Sequence, residues 1–145
     1  MVAGVIVIDY LSLIRMGGTA NKVNQIADIT RGLKVLAKEL DVPIILLCQL
    51  SRACELRDPK NKRPQLIDLR DSGAIEQDAD IVLMMYRDKY YYPNKEGLDL
   101  TELHIRKNRN GQSGKYIQLV FDKKLQKYMD NSPDDTVVKN TTLVD

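Results

Sequence analysis

Residues 5–49 decide the fold. Val5-Ile6-Val7-Ile8 is an unbroken apolar run closed by Asp9, and Ile44-Ile45-Leu46-Leu47-Cys48 is a second one, introduced by Pro43 and closed by Gln49. Neither alternates with polar residues, so each reads as a strand buried on both faces of a parallel sheet. Between them Val23, Ile26, Ile29, Leu33, Leu36 and Leu40 recur at steps of three and four. That spacing predicts an amphipathic helix, capped by Asn21 and ending near Asp41. Strand, helix and strand in this order form a right-handed parallel crossover, and the class is α/β.

Downstream, residues 50–79 have little apolar periodicity and many cations, which predicts a long loop with a short helix. Ile81 to Tyr86 reads as a third strand, introduced by Asp80. A tyrosine-rich turn at Tyr90-Tyr91-Tyr92-Pro93 follows. Residues 103–107 and 116–121 then alternate around Asn110-Gly111 and Gly114, predicting a β-hairpin that extends the sheet. Residues 1–130 read as one domain, and residues 131–145 as a polar tail expected to be disordered.

Composition narrows the function classes. The 145 residues are 43% hydrophobic and 29% charged with a net charge of +2, the balance of one globular domain. There is no apolar run long enough to span a membrane and no signal peptide, so a soluble, reducing compartment is expected. Cys48, Cys54 and the lone His104 do not make a zinc site. The charge is locally uneven. Residues 105–127 hold seven cations against Asp122 alone, and residues 50–70 hold six against Glu55, Asp58 and Asp68. Basic stretches of this kind suit sequence-independent contact with a phosphate backbone.

Four positions carry candidate chemistry. Ligands of open parallel sheets bind beyond the carboxyl ends of the strands, where Asp9 and Gln49 both lie. A carboxylate there suits Mg²⁺ or its water, and an amide beside it suits a phosphate or an attacking water; a plain turn role fits each residue as well. In the hairpin, Leu103, Ile105, Lys107 and Arg109 share one parity. Two cations therefore continue an apolar register and read as aimed at phosphates held by a neighbour, while an ordinary wet hairpin tip is the alternative. Asp80 opens its strand at the other edge and reads as structural.

The combination of Val5 to Leu11, Leu47-Cys48-Gln49-Leu50-Ser51-Arg52, residues 68–80 and Lys107-Asn108-Arg109-Asn110-Gly111 resembles the C-terminal RecA-like ATPase domain of the DnaB-family replicative DNA helicases. The resemblance covers roughly residues 5–130, and Ser72-Gly73-Ala74-Ile75-Glu76-Gln77-Asp78-Ala79-Asp80 is its most specific part. It implies a partial RecA-like P-loop NTPase core, a parallel sheet with helices on its faces and a C-terminal hairpin. It further implies that Asp9 is the Walker B aspartate near Mg²⁺, through water, and that Gln49 couples the nucleotide site to the DNA loops. Arg70, Asp71 and Gly73 match the loop that holds the single-stranded DNA backbone, with Asp71 where the family usually has Glu. Lys107 and Arg109 match the pair that reaches the adjacent subunit's ATP. Family members are cytoplasmic homo-hexamers that hydrolyse ATP, translocate on one strand, separate the duplex during replication, and meet a primase and a loader.

One motif is missing. No G-x-x-x-x-G-K-[ST] occurs; Gly114-Lys115 would need glycine at 109 and a hydroxyl residue at 116, where Arg109 and Tyr116 stand. By the resemblance the P-loop and catalytic glutamate lie upstream of the Walker B strand. The chain is therefore expected to be the second half of a RecA-like domain, inactive toward ATP alone, within an ATP-driven helicase. Another RecA-like ATPase, or a non-catalytic single-strand-binding or assembly module, are the alternatives.

Overall fold

In a computed structural model, residues 4–14, 21–58, 62–69, 73–131 and 139–140 are described, the last two by their backbone alone. They fold as two compact units, Met1–Arg57 with Leu66–Ala79, and Asp58–Gln65 with Asp80–Asp145.

The first unit is built on the crossover. Strand β1 (Ile6–Ile8) pairs in parallel with β2 (Ile44–Leu46), in the register Ile6 to Ile44 and Ile8 to Leu46. Between them runs α1 (Lys22–Leu40). The Asn21 side chain accepts a hydrogen bond from the Val23 amide at 3.2 Å, and Asp41 closes the helix in the left-handed region at φ 52°. Both ends are where the capping residues predict. Ile26 and Thr30 are its buried positions. The Thr30 hydroxyl reaches a carboxylate oxygen of Asp78, 2.5 Å away on α2 (Gly73–Asp78).

The strands are not buried on both faces as their apolar runs predict. Val7 is 58% exposed and Ile45 50%, because among the described residues the pair stands as a two-stranded sheet whose outward positions no element covers. The long loop begins with a 3-10 turn over Arg52–Leu56 and has another over Leu66–Asp68. Its two ends meet in an antiparallel bridge between Leu50 and Leu69, reinforced by the Ser51 amide donating to the Asp68 carbonyl at 2.8 Å. Asp68 is buried against the guanidinium of Arg57.

The second unit is an antiparallel sheet in the order β3 (Ile81–Arg87), β4 (Leu100–Asn108), β5 (Lys115–Asp122), β6 (Lys127–Asp130), with β7 (Lys139–Asn140) also on β5. The hairpin is β4–β5, and it extends a sheet begun by β3, separate from the β1–β2 pair. A single helical turn, α3 (Asp88–Tyr91), occupies the tyrosine-rich stretch. Gly114 adopts φ +78° where the chain re-enters β5, a conformation that favours glycine, and its amide donates to the Ile105 carbonyl.

One face of this sheet is sealed by charge as much as by hydrocarbon. Val82, Met84 and Tyr86 are buried beside Glu102 and His104, while Ile81, Leu83 and Met85 face outward. Arg63 grips both carboxylate oxygens of Glu102 at 2.7 Å, lies 4.9 Å over the Tyr86 ring, and is followed by Pro64, whose carbonyl accepts from Arg106 Nε at 2.8 Å. His104, 1% exposed, completes the cluster with Nε2 2.7 Å from Glu102 Oε2, the oxygen that Arg63 Nε also reaches. Burial works against the ionised form of Glu102, but the hydrogen bonds from His104 and Arg63 outweigh it and hold the carboxyl at about 2.

Candidate functional site

Asp9 and Gln49 arrive at the same edge because their strands are parallel neighbours. The pairing continues past both strands: the Leu47 amide donates to the Ile8 carbonyl at 3.0 Å, and the Leu11 amide to the Leu47 carbonyl at 2.9 Å. Asp9 is thus threaded between two inter-strand bonds at the carboxyl end of β1, with its side chain exposed and a cis peptide linking it to Tyr10. Gln49, also exposed, follows β2 and lines a recess of about 80 Å³ with Cys48, Lys22, Ser12 and apolar neighbours. Lys22, the first residue of α1, was not legible as part of this edge; only the three-dimensional return of the helix start brings it there. Burial pushes the Cys48 thiol up, so it stays protonated and does not act as a thiolate.

The donor set is sparse. Among the described residues no three His, Cys, Asp or Glu side chains are grouped to cage a metal. A single exposed carboxylate fits Mg²⁺, which keeps several waters and shares its remaining positions with substrate phosphates. The amides and lysine that cradle those phosphates are not in this sequence.

Lys107 and Arg109 lie at the tip of the β4–β5 hairpin, but not by the parity that the sequence predicts. Leu83 pairs with Ile105, whereas Val82 pairs with Lys107, so a β-bulge places Arg106 as an extra residue in β4. Strict alternation would keep Lys107 on the face of Leu103 and Ile105; the bulge puts it opposite Val82, on the covered side of β3. The register then runs Ile81 to Asn108, and Arg109 comes level with Asp80. The Arg109 amide donates to the Asp80 carbonyl at 2.8 Å, and Arg109 Nη1 lies 3.1 Å from Asp80 Oδ1. Asp80, read from the sequence as structural, therefore belongs to the hairpin tip.

Of the loop residues, Gly73 opens α2 with open space about its Cα, and Arg70 and Asp71 lie outside the described residues. The Leu50–Leu69 bridge ties the chain that follows Gln49 to the chain that leads to residue 70.

These features have close relatives. Residues 2–130 match the family model of the DnaB-like helicase C terminal domain. The chain is 48% identical over 128 residues to the replicative DNA helicase DnaB of Geobacillus stearothermophilus, and 52% identical over 132 residues to a probable replicative DNA helicase of Trieres chinensis. It aligns over 87% and 88% of its own length and spans 28% of the length of each. Two solved structures superpose with a TM-score of 0.81 at 43% identity, each over 88% of this chain. One is an ATPase domain, of which it covers 44%, and the other a DnaB-like replicative helicase studied for its interactions with primase, of which it covers 30%. No described helix is long and apolar enough to cross a membrane. With a RecA-like α/β strand edge carrying Asp9 and Gln49, and most of its length matched, the chain belongs to the DnaB-like helicase C-terminal domain family.

Proposed function

We propose that this chain serves as the Walker B half of a replicative helicase motor, within a longer subunit that assembles into a cytoplasmic homo-hexameric ring and translocates on single-stranded DNA at the expense of ATP. The observation that carries the reading is the placement of Asp9 and Gln49 at the carboxyl edge of two neighbouring parallel strands. Asp9 would hold a bound Mg²⁺, and Gln49 would contact the phosphate region beside it. ATP and Mg²⁺ together supply the phosphoryl group and its charge neutralisation; the residues here position and sense them. Lys107 and Arg109 reach the nucleotide of the adjacent subunit and stabilise charge that develops on its phosphates. Arg70, Asp71 and Gly73 contact the DNA backbone, and the Leu50–Leu69 bridge offers a short covalent and hydrogen-bonded route from that loop to Gln49. Primase and a loader are its protein partners, in line with the primase interactions studied for a relative.

The test is ATP turnover together with single-stranded DNA affinity by fluorescence anisotropy across a salt series. The chain alone is expected to be silent for ATP and to bind DNA with a steep salt dependence, each phosphate contact adding about 0.7 to the log–log slope. The full-length subunit is expected to hydrolyse ATP and to lose that activity on Arg109→Ala. Turnover by the chain alone, or indifference of the full-length protein to Arg109→Ala, overturns the reading.

A further inference from the structure

We infer that Asp80 is the positioning residue for Arg109: it sets the guanidinium at the hairpin tip in one orientation before the neighbouring subunit's nucleotide arrives. The inference deepens the proposed function and rests on Arg109 acting in trans. Several rotatable bonds separate the guanidinium of an arginine from its backbone, and at an exposed tip these leave the group spread over many positions. Charge stabilisation of a phosphoryl transfer requires it in one, and displacement by about 1 Å is costly in rate.

Asp80 acts on Arg109 twice. Its carbonyl accepts from the Arg109 amide at 2.8 Å, which fixes the backbone from which the side chain springs, and its carboxylate lies 3.1 Å from Nη1, which fixes the far end. The pairing is written into the register. Without the bulge at Arg106, Val82 would face Arg106 and Asp80 would come level with Asn108; with it, Asp80 comes level with Arg109. The bulged residue is itself tied down, since Arg106 Nε donates to the Pro64 carbonyl. Both side chains of the pair are about half exposed, 48% and 49%. An ion pair that open to solvent adds little to stability, so its consequence lies in orientation. The exposure also leaves the site open to an incoming anion.

The experiment is steady-state ATP hydrolysis, stimulated by single-stranded DNA, by the full-length hexameric helicase carrying Asp80→Ala, Asp80→Asn, Arg109→Ala or Arg109→Ala with Asp80→Ala. Asp80→Ala is expected to lower kcat by about 10- to 100-fold with KM unchanged or reduced, since a nearby negative charge is removed from the phosphate's approach. Asp80→Asn keeps an acceptor oxygen and is expected to stay within about threefold of the parent. On the Arg109→Ala background, Asp80→Ala is expected to cost nothing further, because the two residues act as a unit. Melting temperatures are measured in parallel and expected to coincide. A rise in kcat with Asp80→Ala would show a brake rather than a positioner and overturn the inference, as would an equal loss on the Arg109→Ala background. If Arg109→Ala abolishes turnover while Asp80→Ala is neutral, only this inference fails. If Arg109→Ala is itself neutral, the trans reading fails first.

Discussion

The two units handle their candidate functional side chains in opposite ways. In the first, Asp9 and Gln49 stand exposed at the ends of short parallel strands, placed by backbone pairing alone. In the second, the tip carrying Lys107 and Arg109 is fastened by side chains, Arg109 to Asp80 and Arg106 to the Pro64 carbonyl, and β4 is held further along by the Arg63–Glu102–His104 cluster. A strand end needs no more than its sheet to be positioned, because the ladder fixes it. A hairpin tip projects beyond its ladder and must be held by specific contacts. The hairpin tip should therefore be the more sensitive of the two sites to loss of a single charged side chain.

The sharpest break is expected at Arg109. If Arg109 acts on a neighbour's nucleotide as proposed, Arg109→Ala in the full-length protein should lower ATP turnover by about 10³-fold or more, with nucleotide binding far less affected. Next comes the charge cluster. Glu102→Ala leaves the buried His104 and the half-exposed Arg63 without their carboxylate and, with the Arg63 charge screened by solvent, should destabilise the chain by about 1–3 kcal/mol in chemical denaturation. The same site sets an acid limit. Folding lowers the Glu102 carboxyl from the ordinary 4.5 to about 2, so its contribution is present above pH 4.5 and is lost as pH falls toward 2. A stability profile across that window should flatten in Glu102→Gln.

In the first unit, Arg57→Ala strands the buried Asp68 at the base of the long loop. In the full-length protein it should reduce the stimulation of ATP turnover by DNA more than it reduces the unstimulated rate. The smallest effect belongs to the helix cap: Asn21→Ala should cost about 1 kcal/mol, read by thermal melting.

The first unit was the more legible of the two. Apolar runs closed by Asp9 and Gln49, a three-and-four periodicity and the cap at Asn21 are local signals, and each corresponds to an observed element. What they could not convey is exposure: a run without polar alternation announces burial on both faces, and Val7 and Ile45 are half exposed among the described residues. In the second unit the strands and the hairpin were visible but the register of β4 against β3 was not. Parity assumes an unbroken ladder, and one extra residue at Arg106 inverts it for everything beyond. The two cations at the tip were found, yet the face of Lys107 and the partnership of Arg109 with Asp80 depend on that bulge. The covered face of β4 was equally silent, since nothing local to the hairpin marks Glu102, His104 and Arg106 as covered; Arg63 and Pro64 reach them from outside it.

The central claim is that a working site takes Asp9 from one subunit and Arg109 from the next, and mixed rings test it most directly. Full-length Asp9→Asn and Arg109→Ala subunits, each inactive alone, are to be mixed under conditions that let rings exchange, and ATP turnover measured. Random assembly places an intact Asp9 against a neighbour's intact Arg109 at about a quarter of the interfaces of a head-to-tail ring, so the mixture should regain turnover that neither variant has. A mixture no more active than its two components would contradict the account.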